Sequence, residues 1–104
     1  MTARARLPNR RRAETFELEV GGLRYTATVG RFPDGSLGEL FLSNHKSNSA
    51  ADTNARDAAI VFSIAIQSGA DIEVIRNALC RDANGCASGP LAAALDRIVE
   101  GETR

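Results

Sequence analysis

The hydrophobic pattern of this chain changes period once. Up to residue 43 apolar and polar positions alternate; beyond residue 49 apolar positions recur every three or four residues. In "ETFELEV" (14–20), Phe16, Leu18 and Val20 share one face and Glu17 and Glu19 the other, the signature of a half-buried strand. Gly21-Gly22 follows, a pair that adopts positive φ freely and signals a two-residue hairpin turn. "LRYTATVGRF" (23–32) alternates again, with Leu23, Tyr25, Ala27 and Val29 on one side and Arg24, Thr26 and Thr28 on the other. "PDGS" (33–36) is a second turn and "LGELFLS" (37–43) a third strand. The first half therefore predicts a three-stranded antiparallel β-meander.

The second half predicts three helices. Ser49 and Asp52 form an S-x-x-D pair suited to a helix start, and an Ala-rich segment runs from there to Gln67. Its stretch "AAIVFSIAI" (58–66) is apolar nearly all round, so it should either be buried on most sides or cover the sheet and also meet a partner. Gly69 ends it. Asp71 caps a second helix with Ile72, Ile75, Ala78 and Leu79 as its stripe, stopped by Asn84-Gly85. Gly89-Pro90 opens a third, with Leu91, Ala94, Leu95, Ile98 and Val99 facing inward. Strands followed by helices imply an α+β class, with the three helices packed on one sheet face. A homodimer would bury what remains of the apolar helix.

Composition changes this picture at one end. The 104 residues carry no net charge, yet residues 1–12 hold Arg4, Arg6, Arg10, Arg11 and Arg12 and no acid, leaving eight basic against thirteen acidic residues in the rest. We read residues 1–13 as a basic arm, 14–100 as one α+β domain, and 101–104 as a frayed tail. Such an arm contacts nucleic acid or an acidic protein surface, or folds back on its own body. No aromatic is interleaved with the arginines, so base stacking is not indicated. No apolar run follows the basic residues and none approaches the ~20 residues of a membrane span, which points to the cytoplasm and away from membranes.

Candidate chemistry is sparse. His45, the only histidine, lies in a polar loop with no second metal ligand nearby and reads as an exposed, inert side chain. Lys46-Ser47-Asn48-Ser49 leads into a helix N-terminus, where an ammonium, hydroxyls and free N–H groups form a candidate anion or phosphate site; the alternative is simple capping. Cys80 reads as a small residue near the second helix's stripe and Cys86 as a loop residue, too few ligands for zinc. Asp52 and Asp57 flank Arg56 on what reads as a solvated helix face. With no nucleophile–base pair, carboxylate pair or metal cluster in sight, neither an active site nor a cofactor is expected.

The order of motifs is more specific. "RARLP", "ETFELEVGGLRYTATVG" and Asp34-Gly35-Ser36-Leu37-Gly38-Glu39-Leu40-Phe41 are followed by Lys46-Ser47-Asn48-Ser49, Ile66-Gln67-Ser68-Gly69 and Ile72-Glu73-Val74-Ile75. Together they resemble a segment near the C-terminus of adenosylcobalamin-dependent (class II) ribonucleotide reductases. Asp34, Gly35, Gly38, Glu39 and Phe41 are the most specific part; Asn48 stands where the family loop has Gly. The same domain is found in the TSCPD family, named for a Thr-Ser-Cys-Pro-Asp motif whose counterpart here is Ala87-Ser88-Gly89-Pro90-Leu91, with Gly in place of Cys. The resemblance implies a small separate member that lacks the reductase's catalytic barrel, radical cysteine and cobalamin site. It implies a non-catalytic interaction module of unassigned role. The alternatives are a nucleic-acid or nucleotide binder acting through the Arg-rich arm or the Lys46–Ser49 loop, and an accessory partner of ribonucleotide reductase.

Overall fold

The computed structural model describes residues 3–9 and 12–102. Strands β1 (Ala13–Val20), β2 (Leu23–Arg31) and β3 (Leu37–Asn44) precede helices α1 (Ala50–Gln67), α2 (Ile72–Ala78) and α3 (Pro90–Glu102). The sheet order is β1-β2-β3 and both pairings are antiparallel, the α+β meander expected. Gly21 and Gly22 both take left-handed φ, 62° and 76°, so the β1–β2 turn has the twist of the strands it joins.

Alternation decides which sheet face is covered. Leu18 of β1, Tyr25, Ala27 and Val29 of β2, and Leu40 and Leu42 of β3 meet Ala55, Ala59 and Phe62 of α1 and Ala94, Leu95 and Ile98 of α3 in one buried cluster. Helix α1 packs along β3, α3 along β1, and α2 on α3. The small residues of α1 let it approach the sheet closely, while Phe62 fills the space beneath. The opposite face is polar except for Phe41: Thr15 lies 3.3 Å from Thr28, and Arg24 lies 3.6 Å from Glu17.

Two helix ends fall where residue chemistry places them. Ser49 Oγ accepts the Asp52 N–H at the start of α1. At its other end, Ala70 N–H bonds Ala65 O and Gly69 N–H bonds Ile66 O, a paired closure that the left-handed φ of Gly69 allows.

Helix α2 is shorter than its pattern implied and ends at Ala78. Residues 80–88 close a loop of their own: Arg81 and Ala87 form a bridge, Ser88 N–H bonds Cys80 O, and Asp82 accepts the N–H groups of Asn84 and Cys86. Asn84-Gly85 thus turns this loop and does not stop the helix. Cys80, expected near the core, is exposed, as is Cys86, and both are free thiols. Helix α3 extends to Glu102, two residues into the stretch expected to fray.

Arginines tie this region to α3. Arg81 donates twice to Asp96, at 2.7 and 2.8 Å, and Arg76 donates once at 2.8 Å. The Arg81 guanidinium, and then that of Arg76, hold the Asp96 carboxyl at about 2, overcoming the upward push of burial.

Candidate interaction surface

Every sequence-predicted site residue is best located relative to α1. Its polar residues Asp52, Ser63 and Gln67 are all buried against β3. Ser63 Oγ accepts from Leu40 N–H at 2.9 Å and donates to Leu40 O at 3.0 Å. Gln67 Nε2 donates to Gly38 O at 2.8 Å, and Asp52 Oδ1 accepts from Asn44 N–H at 2.9 Å. These are backbone groups on the outer edge of β3, so the helix closes an edge that would otherwise invite another strand. Asp52 is therefore a buried, structural member of the fold and not part of a solvated face. The Asn44 N–H above all keeps its carboxyl below the ordinary range, aided by Arg56 and Asn48.

The same carboxylate bears on the anion site expected at Lys46, Ser47, Asn48 and Ser49. Asn48 takes φ 60°, the conformation for which Gly is usual, and its N–H points to Asp52 Oδ2 at 3.3 Å. Ser49 Oγ donates to Lys46 O and accepts from Asp52 N–H. A carboxylate of α1 thus already occupies the Asn48 N–H, and the Ser49 hydroxyl is spent on Lys46 O. His45 is exposed beside the open sheet face, with Nε2 3.3 Å from Thr26 Oγ1 and 3.6 Å from Glu17 Oε1.

The arm folds back on the body. Ala5 N–H donates to Gln67 O at 2.7 Å, using a carbonyl that the helix end leaves unbonded. Arg4 Nε donates to Gln67 Oε1. Leu7 Cδ2 sits 2.5 Å from where a Cβ on Gly38 would stand, so the absence of a side chain at Gly38 makes the arm's seat. Arg6 and Arg12 are exposed, while Arg10 and Arg11 lie outside the described residues.

The specific motif from Asp34 to Phe41 resolves into structural parts. Asp34 accepts from Ser36 N–H and Ser36 Oγ, Gly35 closes the turn on Phe32 O, and Gly38 seats Leu7. Glu39 packs where Gly30 leaves room. Phe41 stands exposed on the open sheet face.

What none of these contacts covers is the outer face of α1. Ile60, Val61 and Ile64 are 52, 67 and 42% exposed, and Val74 of α2 is 67% exposed. Beside them runs an apolar groove of about 480 Å³ floored by Ala58, Phe62 and Ala65 and walled by Ile75, Leu79 and Leu91. A second cavity of about 390 Å³ continues it to Tyr25 and Cys80. In the sequence Val74 is marked only as part of the Ile72–Ile75 motif, between the stripe positions of α2; its neighbour Ile75 takes the inward position. Among the described residues no group of three or more His, Cys, Asp or Glu side chains gathers as metal ligands do, and no helix is long and apolar enough to cross a membrane.

Comparison with known proteins agrees with the motif order. Seventy residues, 67% of the chain, are 37% identical to the vitamin B12-dependent ribonucleotide reductase of Agrobacterium fabrum. The enzymes of the same name from Bradyrhizobium diazoefficiens and Rhodopirellula baltica are 33 and 35% identical over 70 and 71% of the chain. The matched stretch is only 6 to 7% of each of these relatives. No protein-family profile matches the chain, and no solved structure does. Through that stretch the chain is a small relative of one segment of the vitamin B12-dependent ribonucleotide reductases.

Proposed function

We propose that this chain is a non-catalytic protein-docking module, related to an accessory segment of vitamin B12-dependent ribonucleotide reductase. One observation carries this reading: Ile60, Val61 and Ile64 stand exposed along α1, and Val61 also lines a hydrophobic groove. Contiguous apolar surface of this kind marks sites where proteins meet. The relatives support the reading, because the shared segment is a small part of a large enzyme. The nucleic-acid alternative has less support, since Arg4 is engaged with Gln67. The phosphate alternative also has less support, since the Asp52 carboxylate already takes the Asn48 N–H of that loop.

The test is sedimentation velocity of the intact chain, alone and mixed with a vitamin B12-dependent ribonucleotide reductase. Association in either sample that Val61→Glu weakens supports the proposal. Absence of association in both refutes it. Salt-sensitive binding to labelled DNA or RNA that is lost with residues 1–12 would assign the function to the arm instead.

A further inference from the structure

We infer that the occupant of the α1 face is a second copy of this chain, its α1 running antiparallel to the first. This rests on the docking reading above and adds the partner and the register. The exposed stripe Ile60, Val61 and Ile64 is centred near residue 62 of α1. A two-fold axis there lays Ile60 on Ile64 of the second copy, and Ile64 on its Ile60, the self-complementary arrangement of a symmetric dimer. Val61 belongs both to this stripe and to the groove beside it, so the apolar surface extends from the two-fold axis toward α2.

Charge selects the direction. Asp57 lies five residues before the centre and Gln67 five residues after it, about 7.5 Å each way along the helix. Asp57 is exposed and has no ion pair among the described residues. Gln67 is where the arm is held, through Ala5 and Arg4, and the next residue, Arg6, is exposed and likewise without an ion pair among the described residues. Antiparallel pairing therefore brings Asp57 of each copy to the arginine-bearing arm of the other. Parallel pairing would set the two Asp57 carboxylates side by side, which is repulsive. The docked arm thus acquires a purpose: it supplies the cation that completes an apolar seam.

Sedimentation velocity on the intact chain, from about 1 to about 300 µM, tests this. The expected result is a reversible monomer–dimer equilibrium. Ile64→Glu should raise its Kd at least about tenfold while the far-UV circular dichroism spectrum stays that of the folded chain. Asp57→Arg and Arg6→Asp should each weaken the dimer, and the double variant should restore it. A chain that stays monomeric throughout overturns the inference, as does a dimer indifferent to Ile64→Glu or a double variant no better than the singles. If the chain is monomeric yet binds the reductase, this inference falls and the docking module stands.

Discussion

Ser63→Ala should be the most informative single change in the fold. The hydroxyl serves both the N–H and the C=O of Leu40, a residue with no exposed surface, in a buried interface. Removing it strands one buried donor and one buried acceptor. A stranded backbone group costs about 1–3 kcal/mol, so the pair should cost about 2–4 kcal/mol, the carbonyl contributing the lesser part. A domain of this size is stable by about 5–10 kcal/mol, so roughly a third of its stability is at stake. Urea unfolding followed by far-UV circular dichroism reads this directly. With a slope near 2 kcal/mol per molar, the midpoint should fall by about 1–2 M without a change in slope. Ser63→Thr keeps the hydroxyl and should retain most of the stability. The variant should also aggregate more readily, because the β3 edge is then open. A loss below about 0.5 kcal/mol would refute the reasoning, since it would mean that the edge is not held by this hydroxyl.

Three further outcomes follow from the same contacts. Asp52→Ala removes the acceptor for Asn44, Asn48 and Arg56, and should lower stability by about 1–3 kcal/mol in the same urea assay. Gly38→Ala places a methyl on Leu7, the end of a flexible side chain, so stability should change by less than about 1.5 kcal/mol while the arm becomes sensitive to trypsin. Asp96→Asn should cost about 1–2 kcal/mol at neutral pH, discounted for partial exposure of the cluster. Because the folded carboxyl titrates at about 2, below the ordinary carboxylate value, this stabilisation is full above about pH 4 and is lost as pH falls toward 2. Urea midpoints of the two proteins should therefore differ at pH 6 and converge near pH 2.

The elements were legible in the residues because each rests on local chemistry. Alternation in β1 to β3, the Gly21-Gly22 turn, the Ser49 and Asp71 caps and Pro90 at the start of α3 act within a few residues, and all of them hold. The end of α2 was not legible, because the 80–88 loop that replaces its last turn depends on a bridge between Arg81 and Ala87 and on Asp96, fifteen residues away from Arg81. Asp52, Ser63 and Gln67 are a middle case. Their spacing of eleven and four puts them on one side of a helix, so the stripe was present in the sequence. That it faces a strand edge and not solvent was decided by the packing of α1 along β3, since the backbone groups of Gly38, Leu40 and Asn44 needed partners there. The arm shows the same division. Its charge was plain in five arginines, whereas its place was set by a missing side chain at Gly38 and an unbonded carbonyl at Gln67. An apolar stretch on all sides of α1 meant that one sheet face could not cover all of it; which of its residues remain outside is a property of the tertiary structure, because only packing against the sheet determines which side of a helix is left over.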